Sequence, residues 1–380
     1  MAIVGVICEY NPFHKGHRKQ FSLIRQHFGE ETAIVCLMSG NYVQRGAPAM
    51  FDRTVRAKAA LLCGANLVLE LPVTASLSSA EGFAAAGVAI LSPLCGHLCF
   101  GAEGGDRASL MRTAEALLSP SFSALLRAEL VSGVSFPAAR QRALEAMGIS
   151  GILPEKPNDI LAVEYCKAIL AQGSALLPFP ITRQGNYHAE TPDPENPSAT
   201  ALRRRALSGE NWLDYVPEEA VPCFANAAVH TLDTGERAIL ARLRTMTDEE
   251  FQALPYGSEG LWRRLMHASR EAGSLEEILT GVKTKRYTRS RLDRMVLCAF
   301  LGLTQADLNA PAPYARVLAF DDRGRAVLKD SSFCKNLGWQ SESDYAALER
   351  RCNALYGLFC RGDIPSANAA QKQRLFYLHR

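Results

Sequence analysis

The stretch Ala2–Gln20, AIVGVICEYNPFHKGHRKQ, decides how the rest of this sequence is interpreted. Its first part, Ile3–Cys8, consists of small and β-branched residues and predicts a buried β-strand. Asn11-Pro12 is a turn signal, and apolar residues at helical spacing follow it. The stretch therefore predicts a strand, a tight turn and the first turns of a helix.

Two histidines and a lysine stand at the predicted start of this helix, in the sequence His14-Lys15-Gly16-His17. Backbone N–H groups and the helix dipole favour an anion at such a position. Gly16 has no side chain, so the backbone can approach a ligand closely there. The loop is therefore predicted to bind a phosphate chain.

The composition indicates a soluble globular protein with more than one domain. The chain has 380 residues, of which 48% are hydrophobic and 21% are charged. The net charge of +3 does not by itself indicate a nucleic-acid partner. The eleven cysteines of the chain show no zinc-site spacing, and most of them are predicted to be buried free thiols in a reducing cytosol. We expect a cytoplasmic protein without a signal peptide or a membrane partner.

Strands alternate with helices over the first 200 residues, which predicts an α/β fold with a parallel sheet. A polar loop is predicted at residues 44–48. Residues from about 209 onward are mainly helical in pattern, so we predict domains at 1–208 and 209–380. The other predicted strands are Thr32–Met38, Leu67–Leu71, Leu98–Gly101, Leu177–Thr182 and Arg316–Phe320, and the other predicted helices are Phe51–Cys63, Leu77–Leu91, Ala108–Leu118, Ser121–Ser132, Phe136–Met147, Pro157–Ala171 and one opened by Ser198.

Several motifs together resemble the bacterial tRNA(Met) cytidine acetate ligase family, which lies within the HxGH nucleotidylyltransferase superfamily. EYNPFHKGH contains the superfamily signature, and the likeness extends over nearly the whole chain. The other motifs that carry it are GNYVQRGAPAMFDR (Gly40–Arg53), GANLVLELP (Gly64–Pro72), FGAE (Phe100–Glu103), KPNDILAVEY (Lys156–Tyr165), ITRQGNYH (Ile181–His188) and SATALRRRAL (Ser198–Leu207).

The resemblance implies a Rossmann-like HxGH nucleotidylyltransferase domain with a parallel sheet, followed by a mainly α-helical, tRNA-binding domain. It implies a ligase that uses ATP to activate acetate as acetyl-adenylate. The acetyl group would pass to N4 of the wobble cytidine of elongator tRNA(Met), giving N4-acetylcytidine. Mg²⁺ would arrive with the nucleotide, without a metal site in the protein, and DNA is not an expected partner.

By this resemblance, His14 and His17 are the catalytic residues. Adenylyl transfer needs hydrogen-bond donors placed around the α-phosphate more than covalent help from the protein. The segment Ser198–Arg203 resembles the second signature of the superfamily, in which hydroxyls at a helix start and an arginine hold phosphates. The implied ATP-binding residues are Ile7, Cys8, Glu9, Tyr10, Asn11, Pro12, Phe13, His14, Lys15, Gly16, His17, Arg18, Lys19, Gln20, Gly101, Asn158, Arg183, Ser198, Thr200 and Arg203.

The segment Lys283–Arg291, KTKRYTRSR, is the densest basic run of the sequence. A charge run is more often a solvated face, but cations around one aromatic residue also suit an RNA backbone with a stacked base. The resemblance favours RNA contact, with Arg263 and Arg264 extending the patch. The predicted tRNA-binding residues are Arg204, Arg205, Lys283, Lys285, Arg286, Arg289 and Arg291.

Two alternative functions remain open on the sequence. The first is an adenylyltransferase for a small phosphorylated metabolite, as in pantetheine-phosphate or nicotinate mononucleotide biosynthesis, although such enzymes are usually shorter. The second is a non-catalytic RNA-binding protein, which the intact histidine motif and Arg203 argue against. The sequence has no Walker A motif, no GxSxG motif and no evident KMSKS-like loop of a class I synthetase.

Overall fold

The computed structural model describes residues 1–134, 136–149, 157–182, 193–194, 196–284, 286–329 and 343–379. The strands in these ranges form one large sheet and one small hairpin. The strands are β1 (Ile3–Cys8), β2 (Ala33–Ser39), β3 (Tyr42–Val43), β4 (Ala47–Pro48), β5 (Leu67–Leu71), β6 (His97–Ala102), β7 (Leu177–Thr182), β8 (Arg316–Asp321) and β9 (Phe376–Leu378).

The large sheet has the strand order β7-β6-β1-β2-β5-β8-β9. Its first five strands are parallel, and Gly5 of β1 pairs with Val35 on one side and Leu98 on the other. The central strands are nearly continuous apolar runs because both faces of the sheet are covered. The predicted parallel sheet is thereby confirmed, and β1, β5 and β7 have the predicted limits.

Helices cover both faces of the sheet and then form a separate helical cluster. Helix bounds follow the apolar periodicity and the capping residues. The helices are α1 (Lys15–Phe28), α2 (Arg53–Leu62), α3 (Val73–Ser76), α4 (Ala80–Leu91), α5 (Arg107–Leu118), α6 (Pro120–Val131), α7 (Phe136–Ala146), α8 (Pro157–Ala171), α9 (Ala199–Leu207), α10 (Val221–Phe224), α11 (Leu232–Thr245), α12 (Asp248–Gln252), α13 (Leu261–Glu271), α14 (Leu275–Val282), α15 (Arg289–Leu301), α16 (Gln305–Asn309), α17 (Asp322–Lys329) and α18 (Asp344–Tyr356).

Several predicted elements differ from the structure in their limits. The helix predicted at 77–91 is observed as α4, which begins only at Ala80 because the Ser79 side chain accepts a hydrogen bond from Gly82 N and caps the helix there. Helix α2 begins at Arg53, after Asp52 caps it. The predicted polar loop at 44–48 is in part the β3–β4 hairpin, with Gly46 in its turn at a φ of 80°.

Residues from the C-terminal part complete the sheet. Strand β8 confirms the strand candidate at 316–320 and lies antiparallel to β5, with Leu67 opposite Phe320. Strand β9 then extends the sheet in parallel with β8. The domain boundary between residues 208 and 209 stays a prediction. Residues on both sides of it contribute strands to one sheet.

A second apolar core lies among α11 to α15 and α18, and includes Ile239, Phe251 and Ile278. The mainly helical character predicted for this part is confirmed. Tyr42 of the β3–β4 hairpin enters the same core, and its hydroxyl donates to the carbonyl of Cys352 at 2.8 Å. The hairpin therefore joins the sheet edge to the helical part. None of the helices in the described ranges has the length and apolarity to cross a membrane.

A buried charged cluster stabilises the junction between the sheet and helix α18. Glu70 of β5 accepts from Arg53 at 2.7 Å and from Arg316 at 2.9 Å. Glu349 of α18 is also buried and accepts from Val73 N at 2.9 Å. Burial, and then the charge of Glu70, raise the pKa of the Glu349 carboxyl to about 7. This cluster fastens the C-terminal part to the carboxyl edge of the sheet.

The raised pKa of Glu349 predicts a pH-dependent stability. Its folded pKa lies above the ordinary 4.5, so its contribution is fully present below pH 4.5 and is lost as pH rises through 7. We expect the free energy of unfolding of the wild type to fall by about 3 kcal/mol over this window, relative to Glu349→Gln. Urea denaturation of both proteins at several pH values measures this difference. A difference that stays constant from pH 4 to 8 would contradict it.

Candidate functional site

His14 and His17 lie together at the start of α1, at the carboxyl end of β1. His14 is the N-cap residue with extended backbone, and its ring stacks on that of His17 with centroids 3.7 Å apart. The backbone N–H of His14 donates to Nδ1 of His17 at 3.2 Å. Because Nδ1 is an acceptor, a neutral His17 ring carries its proton on Nε2. This arrangement gives His17 a donor with a fixed direction.

Aromatic side chains beneath the loop hold the imidazoles in place. Tyr10 is buried at a φ of 45°, and its ring meets that of His17 edge-on at 4.8 Å. Phe13 is also buried, 5.4 Å from the His17 ring. The Tyr10 hydroxyl lies 3.3 Å from Sγ of Cys36, and burial together with that thiol raises the pKa of Tyr10 well above its ordinary value. Tyr10 is therefore a neutral packing partner.

The second predicted motif meets the first loop. The Ser198 side chain caps α9 and accepts from Ala201 N at 3.1 Å. Arg203 donates from Nη1 to the carbonyl of Asn11 at 2.6 Å and from Nη2 to Thr200 Oγ1 at 3.1 Å. Residues 11 and 203 are 192 positions apart, yet Arg203 bridges the two motifs. A cation and two hydroxyls thus accompany the histidine loop.

The predicted residues Gly101 and Asn158 lie on neighbouring elements. Gly101 is within β6 and pairs with Ile181. Asn158, in the first turn of α8, donates to Glu103 at 2.7 Å. The next residue, Asp159, accepts from Glu103 N at 2.7 Å and holds the loop after β6. Arg183 lies outside the described residues.

Other residues of the segment 7–20 point in different directions. Ile7 packs against Gly87 of α4, on the face of the sheet opposite α1. Gln20 donates to Sγ of Cys99 at 3.5 Å and joins α1 to β6. Arg18 is exposed and pairs with Glu219 at 3.0 Å, and Lys19 is also exposed.

Arg56 is a buried cation at this edge that the sequence analysis missed. It donates to the carbonyls of Glu9 at 2.6 Å, Ser39 at 3.0 Å and Phe51 at 2.8 Å, and also to that of Gly40. Burial lowers the pKa of this guanidinium. Arg56 therefore holds the carboxyl ends of β1 and β2 together. The signal in the sequence that could have revealed Arg56 is a cation at a position where the helical pattern of α2 calls for an apolar residue.

The chain matches the family described as HIGH Nucleotidyl Transferase over residues 1–353. A tRNA(Met) cytidine acetate ligase of Acetivibrio thermocellus is 34% identical over 353 residues, with 86% of this chain and 85% of the relative covered. One from Syntrophomonas wolfei is 35% identical, with 87% and 84% covered. The chain belongs to this nucleotidyl transferase family. The resemblance inferred from the motifs is confirmed, as is the prediction that the chain is an enzyme.

Two solved structures of Thermotoga maritima TmcAL have the fold of this nucleotidyl transferase. The ligand-free form has a TM-score of 0.89 at 27% identity, and the form bound with alpha-thio ATP has 0.88 at 28% identity. Each match covers the whole of both chains. The predicted Rossmann-like fold is confirmed, and the second structure supports ATP as the nucleotide.

The basic run of this nucleotidyl transferase is largely compensated by nearby acidic groups. Arg286 pairs with Glu259, and Arg289 pairs with Glu276 at 2.7 Å and with Asp293 at 2.9 Å. Arg291 donates to the Tyr256 carbonyl at 2.8 Å. Lys283 and Arg204 are exposed, Arg205 pairs with Glu210 at 3.2 Å, and Lys285 lies outside the described residues.

A cavity of about 600 Å³ runs along the edge strand β7 of the nucleotidyl transferase. His27, His97 and Phe179 line one end, while Ala102 and Glu103 line the other. It therefore borders the loop after β6 and does not include the histidine loop. Within the described part of the chain, no three His, Cys, Asp or Glu side chains are grouped so that they could hold a metal ion.

Proposed function

We propose that this protein is an ATP-dependent ligase that acetylates N4 of the wobble cytidine of elongator tRNA(Met). The observation that supports it best is the stacked His14–His17 pair, with Arg203 of α9 bonded to the Asn11 carbonyl of the same loop, in a chain whose relatives are tRNA(Met) cytidine acetate ligases. The proposed ATP site comprises the segment 7–20 with Gly101, Asn158, Arg183, Ser198, Thr200 and Arg203. We also propose a cytoplasmic location.

In the first step, an acetate oxygen attacks the α-phosphorus of ATP. The bond from that phosphorus to the β-phosphate oxygen breaks, giving acetyl-adenylate and pyrophosphate. Nε2–H of His17 is a fixed donor for a phosphate oxygen, His14 lies beside it in the same loop, and Arg203 bonds to the Asn11 carbonyl of that loop. Mg²⁺ carried by the nucleotide would neutralise phosphate charge, since Mg²⁺ commonly binds through substrate phosphates and water.

In the second step, the exocyclic amine of the cytidine attacks the acetyl carbonyl carbon. The bond from that carbon to the phosphate oxygen breaks, AMP leaves, and the amine gives up a proton. The base must be unstacked from the anticodon loop for N4 to reach the adenylate. We propose that the RNA lies along the helical part, near the predicted residues Arg204, Arg205 and 283–291.

The experiment that tests the proposal is exchange of labelled pyrophosphate into ATP. We expect exchange that depends on acetate and proceeds without RNA, because the adenylate forms before the acceptor is needed. Exchange only with a phosphorylated metabolite would favour the small-metabolite adenylyltransferase. No exchange under any condition would favour the non-catalytic RNA-binding protein.

Nucleoside mass spectrometry tests the second step. Elongator tRNA(Met) lacking the modification is incubated with the enzyme, ATP and labelled acetate, and then digested. We expect labelled N4-acetylcytidine in this tRNA and none in the same transcript with the wobble cytidine replaced by uridine. Label in both transcripts, or in neither while exchange proceeds, would contradict the proposed acceptor.

A further inference from the structure

Helix α13 presents a basic face to solvent beside the basic run. Arg263, Arg264 and His267 are exposed, whereas Leu261 and Leu265 on the other side of the helix are buried in the helical core. The Arg263 guanidinium lies over the Trp262 ring, 5.0 Å from its centroid. The ring limits the motion of that guanidinium and so reduces the entropy lost when it binds an anion.

The cations on this face differ from other arginines nearby. Across the ranges that the structure describes, no carboxylate lies within ion-pair distance of Arg263 or Arg264. Arg270 of the same helix pairs with Asp248 at 2.7 Å, and Arg242 of α11 pairs with Glu250 at 2.6 Å. A phosphate can therefore bind Arg263 and Arg264 without displacing a carboxylate.

The position of these two arginines is unfavourable for the helix itself. They lie near the N-terminus of α13, where a helix favours acidic side chains. The neighbouring helices follow that rule, since α12 begins with Asp248 and α14 has Glu276 in its first turn. A local charge conflict of this kind is expected where a side chain serves binding more than stability.

The loop that leads into α13 is fixed by the basic run. Tyr256, Glu259 and Gly260 all have positive φ values, of 67°, 62° and 78°. Arg286 pairs with Glu259, and Arg291 donates to the Tyr256 carbonyl. These two arginines of the run are thus engaged in holding a strained loop, and that loop sets the direction of α13.

We propose that the exposed face of α13, formed by Arg263, Arg264 and His267, makes direct contacts with the phosphate backbone of the RNA. This inference rests on the proposed function for the RNA partner, and names the surface that binds it. The compensated arginines of the run contribute less to these contacts, because each already has an acceptor in the protein.

The test compares two double variants that remove the same charge. Arg263→Gln with Arg264→Gln removes the arginines without carboxylate partners, and Arg242→Gln with Arg270→Gln removes paired arginines in the same region. The equilibrium constant for tRNA(Met) binding is measured at several salt concentrations. Each lost phosphate contact reduces the slope of log K against log salt by about 0.7–0.9. We expect the slope of the Arg263→Gln, Arg264→Gln variant to be smaller than that of the wild type by about 1.4–1.8. The variant with the paired arginines replaced should keep the wild-type slope.

A third variant separates lost contact from damaged structure. Arg263→Lys with Arg264→Lys keeps both charges, so we expect its slope to match the wild type, while thermal unfolding reports whether each variant is folded. An unchanged slope in the glutamine variant, or an equal loss in the paired control, would overturn the proposal. If the wild type binds no tRNA but shows acetate-dependent exchange, the RNA partner itself is wrong and the inference falls with it.

Discussion

Replacing His17 with alanine is expected to slow acetate-dependent pyrophosphate exchange by about 100- to 1,000-fold, the usual cost of losing one fixed donor to a developing charge. The reason is structural, because His14 N–H fixes the His17 ring so that Nε2–H is the outward donor. Alanine also removes the ring that stacks on His14. The measurement is the initial rate of exchange at saturating ATP and acetate.

His27→Ala is the matched control on the same helix. Its ring lies at the far end of α1 and contacts Phe28 and Phe179, so we expect the exchange rate to stay close to that of the wild type. Affinity for tRNA should persist in His17→Ala, since the proposed RNA contacts lie elsewhere. Loss of exchange and of tRNA binding together would indicate misfolding, and a loss of exchange below tenfold would contradict the proposed role of the ring.

Glu70→Gln is expected to reduce the free energy of unfolding by about 3–5 kcal/mol, as when one member of a buried ion pair is removed. The substitution keeps the size of the side chain but removes the carboxylate that Arg53 and Arg316 share. The effect should be larger at pH 5 than at pH 8, because Glu349 is protonated at pH 5 and can supply a negative charge at pH 8. Urea denaturation at both pH values measures it.

Glu349→Gln serves as the control for this cluster. Glutamine keeps an oxygen that can accept from Val73 N, and it resembles the protonated carboxyl. At pH 5 we therefore expect this variant to be within about 1 kcal/mol of the wild type. A Glu70→Gln protein as stable as Glu349→Gln at pH 5 would show that the shared carboxylate does not hold the two arginines.

Local sequence patterns were sufficient to predict the parallel strands of the sheet. Strand β1 is bounded by a turn signal, β5 by Pro72, and α8 begins at Pro157, so their limits followed from nearby residues. The pairing of β8 with β5 had no such signal, because it joins residues 246 positions apart and depends on the buried contact of Glu70 with Arg316. Long-range pairing of this kind requires the tertiary structure.

In the candidate site, too, the local motif could be predicted from the sequence and the long-range contacts could not. The loop that contains His14 and His17 was predictable because its residue types and spacing are specific. The role of Arg56 was not predictable, since four carbonyls from three separate segments surround it only after folding. The pairing of Arg286 and Arg289 was also hidden, because Glu259 and Glu276 lie on a neighbouring loop and helix.

The antiparallel partner of β5 also has a consequence for synthesis of the protein. Glu70 leaves the ribosome 246 residues before Arg316, an interval of roughly 10–50 s at ordinary elongation rates. During that interval the edge of β5 is open, and an open strand edge recruits other chains. We therefore expect fragments that end before β8 to aggregate through the open edge of β5.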